Sequence, residues 1–355
     1  LEVETRTPNI YFLPKIHKET RPPPGRPVVS GNGSPTERIS ALVDHFINKP
    51  STLIDSYVKD TTHMIRILSS LNNLPDDAIL VTCDVSSLYT SIPTTEGIEV
   101  IKSTLEDFRQ EPNVKPTNES LIQLLDFVLK KNNFKFDGKN YLQINGCAMG
   151  SKCSPSFAVL YMDSFERQHI QSYHLQPLVY KRYIDDIFLI WTHGREELSK
   201  FLEHLNTRSE SIKFTWETST NSVNFLDITI QLLNNQIFTD LYTKPTDSHN
   251  YLLYTSAHPN TCKRGIPYSQ FLRIRRLCSR IEDFDKHALC LSQHFIRRQY
   301  PVDLIQQAAI RARRLNRDSL IHPLTNTNDQ DEKHILICTY NPVQNTLYQY
   351  TTHLQ

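Results

Sequence analysis

The chain has 355 residues, 39% of them hydrophobic, and carries 39 Lys/Arg against 38 Asp/Glu for a net charge of +1. That length and apolar content suit one large or two to three medium lobes, while no apolar run reaches the length of a membrane span and no signal peptide is visible. The seven cysteines (Cys83, Cys147, Cys153, Cys262, Cys278, Cys290 and Cys338) lack CxxC spacing, which argues against a disulfide framework or a zinc cluster and for a reducing, intracellular compartment.

The chain starts at Leu1 rather than Met, which reads as a fragment or an excised domain. Residues 8–36 are rich in proline, glycine and basic groups and predict two short strands, around Ile10–Leu13 and Arg26–Ser30, joined by a basic loop. Residues 37–73 read as helical. "AILVTCDVSSLYTSI" opens as a buried strand, Ile79 to Val81, and then turns. Ile98, Ile101, Leu105 and Phe108 follow at helical spacing. Thr117 is placed to cap a helix whose apolar stripe is Leu121, Leu124, Leu125 and Val128. Asp137-Gly138 sits between alternating residues, a strong hairpin signal. A helix from about Pro155 to Ile170 leads into the apolar segment "VYKRYIDDIFLIW", Val179 to Trp191. Next comes a helix over 196–205 with Leu198, Phe201, Leu202 and Leu205 inward. Strands follow at Lys213–Glu217 and Val223–Leu233, with a turn across Asn234-Asn235 into Ile237–Tyr242.

From Tyr268 to about Asn316 the chain reads mainly as helix, and here the charge is uneven. Between Thr261 and Leu320, 13 Lys/Arg stand against 5 Asp/Glu, while the other 295 residues carry a net −7. A basic lobe on an acidic chain points to a polyanion partner; a solvated helical face is the plain alternative. Residues 322–333 read as a polar linker and 334–342 as a strand-like stub. The mixture of strands and helices around a mostly antiparallel sheet is α+β.

The segment Val179–Trp191 raises a chemical question. It places Asp185 and Asp186 side by side at the tip of an apolar hairpin, with no glycine or asparagine to ease the turn. Taken alone, an Asp-Asp pair is more often a solvated turn than a site. Here the flanking Ile184, Ile187, Phe188, Leu189 and Ile190 reduce hydration, and the two carboxylates repel. A divalent cation relieves both penalties. Asp84, after the strand Ile79–Val81, supplies a third carboxylate if that strand lies beside the hairpin. Three carboxylates suit a two-metal site for phosphoryl transfer, and hard oxygen ligands suit Mg²⁺, with Mn²⁺ as a substitute.

"VTCDVSSLYTSIP", "GCAMGSKCSP" and "YKRYIDDIFLIW", in this order and separation, resemble the three central motifs of a reverse transcriptase palm. "FLPKIHK" and "GRPVVSGNGSPTERIS" upstream, with "FLDITI", "DLYTKPTDSHNYLLYTSAHP" and "KRGIPYSQFLRIRRLCS" downstream, resemble the reverse transcriptases of Penelope-like retroelements, relatives of telomerase. The resemblance covers about residues 10–320. It implies an α+β right-hand polymerase: fingers over 1–77, an antiparallel palm over 78–242 with a finger-like insertion at about 117–145, a thumb-like basic helical module over 243–320, and a linker and connector stub over 321–355.

The same resemblance implies an RNA-directed DNA polymerase that joins a dNTP to a primer 3′-OH on an RNA template, in the nucleus and with no membrane partner. Nothing in the sequence sets an oligomeric state. Asp84 and Asp185 become the main ligands of two Mg²⁺ ions, Asp186 an accessory carboxylate, and Val85 offers a backbone carbonyl to the metal or cradles the triphosphate. Tyr89 falls at the position that blocks a ribose 2′-OH. Lys15 and Arg26 match basic groups that hold the triphosphate. Gly150, Ser151 and Pro155 match the loop behind the templating base, and Leu226 and Asp227 a primer-grip-like hairpin. Arg273, Arg275 and Arg276 would meet duplex phosphates. Ser91 stands where the family has asparagine, and Cys147 and Cys153 depart from the usual residues around Gly150; none removes a group the reaction needs. "HILICTYNP" resembles a connector to an endonuclease domain that this chain does not contain, so a supplied primer is expected to be needed. An inactive, repurposed nucleic-acid-binding module and a two-metal nuclease are the rival readings.

Overall fold

The computed structural model describes residues 5–14, 16, 22–71, 73–110 and 115–322. Lys15 and the linker and connector stub, from residue 323 on, lie outside the described residues. In chain order the elements are β1 (Ile10–Pro14), β2 (Gly25–Val29), α1 (Glu37–Ser51), α2 (Thr61–Ser69), β3 (Ile79–Val85), α3 (Leu88–Ser91), α4 (Thr94–Phe108) and α5 (Asn118–Lys130). Then come β4 (Asn133–Phe136), β5 (Lys139–Leu142), α6 (Ser154–His169), β6 (Val179–Tyr183), β7 (Asp186–Trp191), α7 (Gly194–Thr207), β8 (Phe214–Ser219) and β9 (Ser222–Phe225). The hairpin β10 (Ile228–Leu233) and β11 (Gln236–Leu241) precedes α8 (Asn260–Leu277), α9 (Ile281–Arg297), α10 (Val302–Arg313) and α11 (Arg317–Ile321). The described residues form two compact units, one of those up to Thr61 with those in Asn73–Leu226, the other of α2 with those from Asp227 to His322.

The first unit is built on an antiparallel sheet in the order β6-β7-β3-β8. Side chains alternate across β3, so Ile79, Val81, Cys83 and Val85 join Ile187, Leu189 and Trp191 in one core with the helices. α6 is buried nearly all round, Phe157, Ala158, Leu160, Met162 and Phe165 among its buried residues, as a helix at the centre of a core must be. Pro155 sits in its first turn, where a missing N–H costs nothing. The side chain of Thr117 accepts from the Ser120 N–H at 3.2 Å and caps α5 as expected. Asp137 and Gly138 take positive φ values of 47° and 75°, the turn chemistry that joins β4 to β5.

The second unit packs α8, α9 and α10 around Phe271, Ile274, Cys278, Phe284, Phe295 and Ile305. Asn234 and Asn235 both take positive φ, as a two-residue turn between β10 and β11 requires. No helix among the described residues is long and apolar enough to cross a membrane.

Several boundaries differ from the sequence reading, among them the start of α8 at Asn260 instead of Tyr268. The helical stretch 37–73 is interrupted, because Ser56–Val58 lies along the edge of β6: Arg182 N–H donates to Ser56 O at 2.6 Å and Val58 N–H to Arg182 O at 2.8 Å. β3 continues to Val85 instead of turning after Val81, since β7 and β8 pair with it on both sides. The strand expected over Val223–Leu233 breaks at Leu226, whose φ is +53°. At the β6–β7 tip the turn residues are Ile184 and Asp185, and Asp186 already belongs to β7.

Candidate active site at the ends of β3 and β7

The strand register decides what the carboxylates can do. Asp84 lies directly opposite Asp186 across β3–β7, and Asp186 directly opposite Tyr183 across β6–β7. Directly opposed residues share a face, with Cβ atoms about 4.5–5.5 Å apart. Tyr183, Asp186 and Asp84 therefore form one row on the face turned away from the helical core. Asp185 sits in the adjoining turn, and its carbonyl accepts from the Val85 N–H at 3.0 Å. Asp84 is exposed, and Asp185 and Asp186 are half-buried. Three carboxylates from two segments about 100 residues apart thus meet at one end of the sheet. The donor set is all hard oxygen, which fits Mg²⁺-class ions.

Ile184 explains why this turn holds no glycine. Its φ of +57° is a genuine outlier for a β-branched residue, of a kind that costs about 1–3 kcal/mol. The side chain packs against the main core, and the Ile184 carbonyl accepts from Arg182 Nη1 at 3.3 Å. A glycine would ease the backbone and lose the anchor. Strain held by packing fixes where Asp185 and Asp186 stand.

Tyr89 lies in α3, half-buried. Burial pushes its phenol up, and the nearby Asp185 carboxylate adds to the shift, while Arg26 opposes it. The ring thus stays a neutral hydroxyl beside the carboxylate end, with Arg26 of β2 within electrostatic reach. The Tyr89 carbonyl accepts from the Cys147 N–H at 2.7 Å. Gly146 has φ +68°, and a Cβ there would meet the Tyr89 carbonyl at 2.3 Å.

The loop that follows is fastened to β2 and α1. A Cβ on Gly150 would stand 1.8 Å from the Val29 carbonyl, so no other residue fits. Ser151 Oγ lies 2.7 Å from Ser40 Oγ, and Cys153 N–H donates to Ser40 Oγ at 3.0 Å. Lys152 pairs with Glu37 at 3.3 Å. Tyr89, Gly150 and Ser151 are thereby held on one framework with β2.

Comparison with known families gives this geometry a setting. The family model described as reverse transcriptase (RNA-dependent DNA polymerase) matches residues 35–220, more than half of the chain and all of the carboxylate site. The chain belongs to the reverse transcriptase family. A second model, the animal helix-turn-helix domain, matches residues 250–310, a region the sequence reading treated as part of a thumb-like basic helical module. No curated protein matches.

Among solved structures, telomerase from Candida albicans, in complex with a TWJ fragment of telomeric RNA, is similar at a TM-score of 0.58 with 10% identity, over 89% of this chain and 60% of that one. The RNA-dependent RNA polymerase of a human picobirnavirus is similar at 0.58 with 11% identity, over 82% of this chain and 58% of that one. Telomerase from Candida tropicalis, also with a TWJ fragment, is similar at 0.51 with 11% identity, over 91% of this chain and 64% of that one. The chain thus spans about three fifths of the length of these proteins. The likeness establishes the right-hand polymerase fold, α+β with an antiparallel palm sheet and a helical thumb.

The remaining expected residues lie at or beyond the start of the second unit. Leu226 and Asp227 form the corner between β9 and β10, and Asp227 pairs with Arg273 at 3.1 Å. Arg273 is 40% exposed even so. Arg275 turns inward, its Nε donating to the Leu315 carbonyl at 3.3 Å. Arg276 is half-buried, and its Nε has no hydrogen-bond partner. The three arginines do not share one free face.

A buried polar cluster behind the site escaped the sequence reading. Glu166 of α6 accepts from Arg182 Nη2 at 3.3 Å, from Tyr180 Oη at 2.9 Å and from Ser56 Oγ at 2.6 Å. Arg182 Nη2 also reaches the Val159 carbonyl at 3.2 Å. Burial opposes the Arg182 charge, and the Glu166 carboxylate more than offsets it. Burial and Glu166 together push the Tyr180 phenol well up, so it remains a donor. The only available signal was "YKRY", a charged residue inside an apolar strand.

Proposed function

We propose that this chain is an RNA-directed DNA polymerase, using a primer 3′-OH and a dNTP on an RNA template. The observation that carries the reading is the register that sets Asp84 against Asp186, with Asp185 in the adjoining turn. Asp84 and Asp185 would hold two Mg²⁺ ions, Mn²⁺ substituting, with Asp186 accessory and the Val85 backbone beside them. When bound, such ions lower the barrier to phosphoryl transfer by stabilising the attacking and leaving oxygens. The protein groups do the positioning. Lys15 and Arg26 donate to the triphosphate as charge-assisted partners. The Tyr89 ring occupies the space of a ribose 2′-OH and so rejects ribonucleotides by steric clash. Gly150 and Ser151 back the templating base, because glycine permits close backbone approach. We assign fingers to 1–77, palm to 78–242 and a thumb-like module to 243–320, in which Arg273, Arg275 and Arg276 lie.

The ordered motifs support a finer placement, among Penelope-like retroelement enzymes acting in the nucleus. An RNA partner is supported by the telomerase similarity, since those structures were solved with fragments of telomeric RNA. Primer extension on matched RNA and DNA templates tests the whole reading. Elongation with dNTPs on RNA is the expected result. Template–primer binding without elongation would instead favour a repurposed binding module. Metal-dependent nicking of plasmid that vanishes in Asp185→Asn would favour a nuclease.

A further inference from the structure

Three groups in the second unit converge without any role in the polymerase reading. Asp240 lies on β11, Cys278 caps the C-terminus of α8 and His287 lies on α9. His287 Nε2 is 2.9 Å from Asp240 Oδ1, and Cys278 Sγ is 3.4 Å from the same oxygen. All three donor atoms lie within 4.8 Å of one another. The Cys278 side chain is fully buried, and Asp240 and His287 are half-buried.

We propose that Asp240, Cys278 and His287 form a binding site for a borderline-soft divalent ion of the Zn²⁺ class. Thiolate, imidazole and carboxylate are the ligand types zinc takes, at about 2.3, 2.0–2.1 and 2.0–2.2 Å. Tetrahedral placement at those lengths separates neighbouring donors by about 3.2–3.7 Å, and the two contacts above are already close to that. Three protein ligands leave a fourth position for water. The thiol and imidazole select against Mg²⁺, which prefers oxygen, so this ion is distinct from those of the palm. On binding, the metal–sulfur bond forms as the Cys278 S–H proton leaves to solvent.

The site is pre-organised by bonds that need no metal. Thr239, next to Asp240, donates its N–H to Ser279 Oγ at 2.8 Å and its hydroxyl to the Leu277 carbonyl at 2.7 Å. Ser279 N–H donates back to the Thr239 carbonyl at 2.7 Å, and Arg317 Nη2 donates to Thr239 Oγ1 at 2.9 Å. Asp240 Oδ1 also accepts from the Leu241 N–H at 2.7 Å. Arg280, whose charge reaches Asp240, is engaged by Asp283 at 2.7 Å and by Gln231 at 3.2 Å. The ion would lock the α8–α9 turn, inside the helix-turn-helix match, onto the β10–β11 hairpin.

Hydrogen bonds alone could also account for the cluster, with Cys278 and His287 both donating to Asp240. A second pair, Cys290 and His294, approaches to 3.6 Å on the exposed side of α9 and could take up zinc adventitiously. The test uses the full chain, purified without chelator, with zinc measured by elemental analysis and then exchanged for Co²⁺. One equivalent of zinc should survive gel filtration, and Co²⁺ should give a thiolate-to-metal charge-transfer band. Cys278→Ser should abolish the band. His287→Gln should weaken Zn²⁺ binding by more than the roughly 10–100-fold that an outer-shell partner is worth. Cys290→Ser should change neither. Failure of the wild type to retain zinc overturns the proposal, as does a band that survives Cys278→Ser or disappears in Cys290→Ser. Should Cys278→Ser not fold, unchanged affinity in His287→Gln is equally fatal. None of these readouts depends on primer extension.

Discussion

The β6–β7 hairpin carries charge on both of its faces and treats it in opposite ways. On the core face, Arg182 and Glu166 are 1% and 4% exposed in their side chains and neutralise each other. On the other face, Asp186 stands beside Asp84, two like charges in directly opposed positions. The buried pair is complete in itself, with Tyr180 and Ser56 filling the remaining acceptor sites of Glu166. In the carboxylate row two like charges stand directly opposed, an arrangement that destabilises a sheet. The buried face joins opposite charges, whereas the carboxylate face brings like charges together at an exposed strand end.

This contrast predicts two kinds of failure. Asp84→Asn should lower dNTP incorporation on the order of 10³-fold or more, as loss of a main transition-state stabiliser does. Its melting temperature should hold or rise, because repulsion has been removed. Extension kinetics beside a thermal melt checks this, and a parallel loss of stability would break the distinction between the faces. Glu166→Ala should do the reverse, costing about 3–5 kcal/mol by leaving Arg182 buried and unpaired. The double variant Arg182→Met with Glu166→Leu should recover most of that loss. Urea denaturation of the three chains sharpens the comparison, and a mild Glu166→Ala would mean water already reaches the cluster.

Smaller effects should separate the residues around the carboxylates. Tyr89→Val should shift selection towards ribonucleotides by roughly 10–200-fold, the span one small steric contact is worth in a pocket. An unchanged ratio in a folded variant returns Tyr89 to the core. Arg273→Ala should reduce the log–log salt slope of template–primer binding by roughly one unit, the contribution of one phosphate contact. Arg275→Ala should leave that slope alone and weaken the helical unit instead, since Arg275 holds the Leu315 carbonyl. Equal slopes for all three chains would make Arg273 a partner of Asp227 and nothing more.

How much of this was legible in the sequence depended on how local each signal was. Thr117 as a cap and Asp137-Gly138 as a turn needed only neighbours within four residues, and both hold. The carboxylate pair stood out because its flanks were apolar, and the β3–β7 register then supplied Asp84. What the pattern missed was decided by tertiary pairing. Ser56–Val58 left the helix to cover the β6 edge. The second half of β3, from Thr82 to Val85, is not separable from a turn until strands on both sides claim it. The Glu166–Arg182 cluster and the Asp240–Cys278–His287 group each unite distant segments. Cysteine spacing argued against a zinc cluster, yet Cys278 meets its partners through β11 and α9, where spacing carries no information.

The central claim is that the Asp84–Asp185–Asp186 end of the sheet serves RNA-templated DNA synthesis. Single-nucleotide incorporation into a primer annealed to RNA, titrated with Mg²⁺ for the wild type and Asp185→Asn in parallel, tests it most directly. The account predicts saturable, Mg²⁺-dependent incorporation by the wild type, and its near disappearance in Asp185→Asn while template–primer affinity is retained. Incorporation by Asp185→Asn at a rate near the wild type, or none by a wild type that binds the template–primer, would contradict it.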